Sequence, residues 1–191
     1  MRFVRVANTQ TASRVLNDLK MIPQRLIDIT NEFGAQIYCF NERFKPSYIG
    51  LMDKNECSNA ERNFNEISHY NHQEKALYIF DHCIEDVGEK AYSTIIHEYA
   101  HALDHALGCK IKQNEILSMV DSGIIKRWKK QKGLDCYANT DPLEYFAQAF
   151  MAYMYSDLET YKTWTYREHT RQELKEKDSD MYYYLKSLIE G

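Results

Sequence analysis

At 191 residues, with 44% hydrophobic and 27% charged side chains, the chain is long enough to bury a substantial core and too ordinary in composition for a disordered or low-complexity protein. A net charge of −4 supplies no global basic field, so neither nucleic acid nor a membrane surface is an expected partner. With 7 Gly, 3 Pro and no repeat or composition break, the sequence predicts one domain over residues 1–191, expected to be monomeric.

The five cysteines, Cys39, Cys57, Cys83, Cys109 and Cys136, are scattered, odd in number and never arranged as C-x-x-C. That pattern fits a reducing compartment better than a disulfide framework or a thiolate metal site. Residues 1–8 lack the apolar run of a secretory signal, and no stretch of 18 apolar residues occurs. The protein is therefore expected in the cytoplasm as synthesised, or released by another route.

In chain order, residues 11–33 place Val15, Leu16 and Leu19, then Leu26, Ile27 and Ile29, at helical spacing interrupted by Pro23. This predicts two short helices or one broken helix, closed by Gly34. Residues 35–40 read as a strand. Residues 41–75, polar and holding Pro46, Gly50 and several Asn, predict loops with at most a short strand near residues 48–52. His69 and His72 are expected there as solvated loop residues. Residues 76–80 (Ala-Leu-Tyr-Ile-Phe) form the clearest strand, ending at Asp81 and His82, with His82 again a loop residue. At the edge of a small sheet such a strand would hold an extended peptide by main-chain hydrogen bonds; an ordinary core strand is the plainer and compatible reading.

Residues 93–107 predict one buried helix ending at Gly108, because Ile95, Ile96, Tyr99, Ala102, Leu103 and Ala106 make it apolar on most of its surface. At its centre His97-Glu98-Tyr99-Ala100-His101 matches the H-E-x-x-H pattern. Four residues apart, the two histidines share a helical face and can offer two imidazole nitrogens to one ion, with Glu98 beside them as a base rather than a ligand. With 7 His in the chain, the pattern arises by accident in roughly one such sequence in fifty. Context strengthens it, since two imidazoles and a carboxylate on a core helix need partners and a metal supplies them together.

Beyond Gly108, residues 113–132 predict an amphipathic helix or helix pair with Ile116, Leu117, Met119, Val120, Ile124, Ile125 and Trp128 as its apolar side. Lys126, Arg127, Lys129, Lys130 and Lys132 then read as a solvated helix terminus complementing the dipole rather than as an anion or nucleic-acid patch. A linker with Cys136 and Tyr137 follows. Asp141 suits the N-cap and Pro142 the first turn of a helix over about 142–155 with Leu143, Phe146, Ala147, Phe150, Met151 and Met154 inward. Met181, Leu185, Leu188 and Ile189 predict a closing C-terminal helix.

Two histidines leave a catalytic zinc site one protein ligand short. A third histidine in H-E-x-x-H-x-x-G-x-x-H is excluded, because Asp104 and Leu107 stand where Gly and His would be needed. A carboxylate on a later helix is the remaining route, and Glu144 is the best candidate. It lies three residues after Asp141, however, where it would equally close a capping box, and periodicity does not separate the two roles.

His97–Leu107 (HEYAHALDHAL) together with Tyr137–Phe150 (YANTDPLEYFAQAF) resembles the catalytic domain of anthrax toxin lethal factor and the related bacterial Pro-Pro endopeptidases. The resemblance is specific over about residues 97–150, weak for the C-terminal helix and invisible before residue 75. It implies an α+β, mostly helical, zincin-like (gluzincin) domain with a small sheet whose edge strand precedes the H-E-x-x-H helix. It further implies a zinc-dependent endopeptidase acting on an extended protein or peptide substrate, in a toxin-like, mobile-element-associated or intracellular regulatory role. By this carry-over Zn2+ is held by His97, His101 and Glu144, Glu98 is the general base and Tyr137 assists the oxyanion. Gln148 departs from the family, where a second glutamate stands. Such an amide would orient its neighbour less strongly, which leaves a weakened zinc-binding interaction protein as the alternative. Asp104 and Asp141 could orient ligands, although Asp104 is equally explained as a salt-bridging helix residue.

Overall fold

The computed structural model describes residues 2–6, 9–40, 68–80, 92–130, 134–154 and 169–191. The expected strand near residues 48–52 and the loop residue His82 lie outside them. The elements combine a four-stranded sheet with helices in a mostly helical α+β arrangement.

Strand β1 (Arg2–Val6), which the sequence did not announce, is followed by helices α1 (Thr9–Leu19) and α2 (Gln24–Phe33) and strand β2 (Gln36–Phe40). The interruption at Pro23 thus separates two helices, with Ala12, Val15, Leu19 and Leu26 buried. Gly34 ends α2 in the left-handed region, φ +88°, and the N–H groups of Gly34 and Ala35 bond the Asn31 and Thr30 carbonyls. A side chain at 34 would be strained there.

Strands β3 (His69–Asn71) and β4 (Ala76–Phe80) complete the sheet in the order β1-β2-β4-β3. β1 and β4 both run parallel to β2, and β3 is antiparallel to β4. All five residues of β4 are buried, as a continuous apolar run with neighbours on both sides requires. The edge position expected of the strand before the H-E-x-x-H helix therefore belongs, among the described residues, to β3. His69 is accordingly a strand residue and not part of a solvated loop, and His72 is half-buried just beyond β3.

Helix α3 (Tyr92–Ile111) packs on the sheet and on α1 and α2, with Ile95, Ile96, Tyr99, Ala100, Ala102 and Leu103 fully buried. It does not stop at Gly108. The missing side chain there admits another piece of backbone: a Cβ on Gly108 would lie 2.3 Å from the Leu117 nitrogen and 2.4 Å from the Glu115 carbonyl oxygen.

The predicted helix pair is α4 (Leu117–Val120) and α5 (Ser122–Lys130), divided at Asp121, whose carboxylate accepts from the Ile124 N–H at 2.8 Å. The basic cluster is only partly solvated as expected, because the Arg127 guanidinium lies 4.9 Å over the Tyr184 ring and Lys130 stands 3.4 Å from Asp180. Helix α6 (Pro142–Met154) lies against α3 and is buried from Tyr145 to Met154. Helix α7 (Arg171–Lys177) opens on a capping box of Thr170 and Glu173, and α8 (Ser179–Glu190) buries Met181, Leu185 and Ile189. No described helix is long and apolar enough to cross a membrane.

Candidate metal centre

Helices α3 and α6 bring His97, His101 and Glu144 together. One turn apart on α3, the histidines face the same way, and their Nε2 atoms lie 3.1 Å from each other. On α6 the Asp141 carboxylate accepts from the N–H groups of Leu143 (2.8 Å) and Glu144 (2.9 Å) and so fixes the first turn. The Glu144 carboxylate is thereby free to turn towards α3, with Oε2 3.0 Å from His97 Nε2 and 3.6 Å from His101 Nε2.

Four donors set tetrahedrally about one zinc at roughly 2.1 Å stand about 3.4 Å apart. The three separations here bracket that value. The Glu144 Oε2 atom is also buried without a hydrogen bond of good geometry. Three donor atoms thus crowd around one point within 3.6 Å of one another, an arrangement a shared cation would satisfy. Burial by itself would raise the Glu144 carboxyl, but the His101 and His97 imidazoles hold it well below the usual carboxylate range. It is therefore an anionic donor at ordinary pH.

Glu98 is 7% exposed and adjoins this group. Burial pushes its carboxyl up to about 7, helped by the Glu144 charge and opposed by His101 and by a hydrogen bond from the Tyr70 N–H on β3. A carboxyl near neutrality can both take and return a proton. The Tyr137 ring, on the turn before α6, has its centroid 5.8 Å from that of His97. All five residues singled out in the sequence thus fall within one region.

Other expectations changed. Among the described residues Asp104 makes no salt bridge: its carboxylate is fully buried and accepts from the Ser118 N–H at 2.8 Å and the Ser118 hydroxyl at 2.6 Å, joining α3 to α4. Gln148, 4% exposed one turn beyond Glu144, keeps a buried Oε1 without a partner.

Sequence reasoning also missed neighbours of the site. The Tyr70 phenol lies 3.0 Å from His105 Nδ1, and the His72 ring centroid is 5.3 Å from that of His105 and 6.5 Å from that of His101. Burial, with His101 and His105 nearby, pushes His72 down to about 4, and burial with Lys75 lowers His105. Neutral rings therefore pack behind the histidine pair. His105 extends the run His97, His101, His105 at four-residue intervals, a spacing visible in the sequence; for His72 there was no such signal.

The family described as anthrax toxin lethal factor, N- and C-terminal domain, matches residues 5–188. By shape, 98% of the chain superposes on 95% of a Pro-Pro endopeptidase from Paenibacillus alvei with a TM-score of 0.59 and 20% sequence identity, a likeness of fold. No curated protein matches at the sequence level.

Proposed function

Because this chain belongs to the anthrax toxin lethal factor family, we propose that it is a zinc-dependent endopeptidase, a single catalytic unit that hydrolyses an internal bond of an extended protein or peptide. The observation that carries this reading is the convergence of two imidazole nitrogens and one carboxylate oxygen at 3.0 to 3.6 Å, beside a carboxyl raised to about 7. The likeness to an endopeptidase fold supports it.

His97, His101 and Glu144 would hold the zinc, which when bound polarises a scissile carbonyl and acidifies water. Glu98 takes the proton from the attacking water and delivers it to the leaving amine. Its burial serves this exchange, because a carboxylate at its ordinary acidity would return the proton reluctantly. Tyr137 donates its phenolic proton in a hydrogen bond to the developing oxyanion. β3, at an edge of the sheet among the described residues, runs beside Glu98, which its Tyr70 N–H reaches, and an extended substrate laid along that edge would pass next to Glu98.

Metal analysis should find about one zinc per chain, and a randomised peptide library should be cut by the wild type but not by Glu98→Ala, whose zinc content is unchanged. Full activity in Glu98→Ala would refute the mechanism. Bound zinc with no cleavage across the library would instead identify a zinc-binding interaction protein on this scaffold.

A further inference from the structure

Outside the candidate site, a half-buried carboxylate on the turn that carries Tyr137 meets a buried imidazole from the residues just before α7. Asp135 accepts the Ala138 N–H at 2.8 Å and also the Tyr137 N–H. From the other side the Thr140 N–H (3.0 Å) and hydroxyl (2.7 Å) donate to the Tyr137 carbonyl. The backbone of Tyr137 is thus gripped at both of its polar atoms, with Asp135 as one of the two holds. Beside Asp135 stands His169, which is 2% exposed and places Nε2 3.3 Å from the Asp135 carboxylate, within ion-pair distance but not aligned as a hydrogen bond. The other ring nitrogen is 3.6 Å from Glu173, whose carboxylate also accepts the Thr170 N–H in the box that starts α7.

A buried imidazole set between two carboxylates is costly to build unless the pairing has a use. Helix α7 packs on α6, and the Arg171 Nε donates to the Tyr153 carbonyl at 2.6 Å. The chain of contacts therefore runs from the helix that carries Glu144, through α7 and His169, to Asp135 and the Tyr137 backbone. No member between the two ends touches His97, His101 or Glu144 in a contact described above.

We propose that His169 is a positioning residue for Tyr137: with Glu173 behind it, it holds Asp135 in the place from which that carboxylate fixes the Tyr137 backbone. This rests on the endopeptidase reading, in which Tyr137 acts on the substrate. His169 itself meets neither substrate nor metal.

The test uses the full zinc-loaded chain with His169→Gln, which keeps the ring's volume and one polar contact, alongside His169→Ala and Tyr137→Phe. Hydrogen exchange at the Tyr137 and Ala138 amides should quicken roughly tenfold in His169→Gln, the scale of one lost hydrogen bond, while amides of α3 do not change. On a peptide that the wild type cleaves, kcat should fall about tenfold with KM within about a factor of two and zinc content unaltered. Combined with Tyr137→Phe, His169→Gln should cost nothing further, because the phenol it places is already gone. Losses that multiply in the double variant, or exchange at 137 and 138 identical to the wild type, would overturn the proposal. If the wild type cuts no peptide, the endopeptidase reading fails while the exchange measurement still decides whether His169 holds this turn. If His169→Ala does not fold, His169→Gln carries the comparison.

Discussion

Asp104 offers a test of how strongly this core acts on a buried charge. Its carboxyl is fully buried, and burial pushes it up to about 7 against the opposing pull of the two Ser118 hydrogen bonds and of His101. An unfolded aspartate titrates near 3.9. The folded chain therefore binds this proton more tightly than the unfolded chain, so the contribution to stability is greatest at acid pH and is lost as pH rises from about 4 to about 7. The slope approaches 1.4 kcal/mol per pH unit, and the whole effect is about 4 kcal/mol. Asp104→Asn removes the titration but keeps an amide oxygen for the Ser118 N–H and an amide N–H for its hydroxyl. Urea unfolding of both proteins, freed of metal with a chelator, should give a stability difference that shifts in favour of the variant by about 2.5 kcal/mol between pH 5 and pH 8. Every group common to the two proteins cancels in that difference. Parallel pH curves would refute the reasoning and mean that Asp104 is an ordinary ionised carboxylate.

Three further outcomes are expected. Glu144→Ala should weaken zinc binding by more than about 100-fold in chelator competition, with the helical circular dichroism retained; unchanged affinity would remove Glu144 from the donor set. For activity, Glu98 must be ionised to accept a proton, so kcat/KM should fall as pH drops through a value at or below about 7, bound cation lowering the carboxyl from its metal-free position; an acid limb well above 7 would point to another base. Gly108→Ala, which in most helices stabilises, should instead destabilise by at least about 1–3 kcal/mol, because its Cβ meets backbone at 2.3 to 2.5 Å. A higher Tm in that variant would contradict the close crossing of residues 115–117.

Where the sequence was informative, the physics was local. His97 and His101 declare their shared face by helical period alone, and Pro23, Gly34 and Asp141 mark ends through backbone rules that need no tertiary partner. Glu144 was ambiguous for an equally local reason: one spacing from Asp141 serves both a cap and a ligand, and only the direction of the side chain towards α3 separates them. Gly108 misled because a glycine late in an apolar run resembles a stop, whereas here it makes room for a crossing chain. His69, His72, Asp135 and His169 carry no periodic signature, since their surroundings come from residues far away in the chain. The plainer core reading of residues 76–80 holds for β4, and the edge position went to β3, whose three residues carried no strand signal.

Tyr70 grips α3 twice, through its N–H on Glu98 and its phenol on His105. Seven residues of helix separate these anchors by about 10 Å, and two fixed points leave a short strand no pivot. β3 thus becomes a ruler laid at a set angle across the helix. On the endopeptidase reading, a substrate strand laid beside it would inherit that scale, graduated at about 3.3 Å per residue. Because side chains alternate between faces, such a substrate would advance only in steps of two residues without turning its side chains inside out.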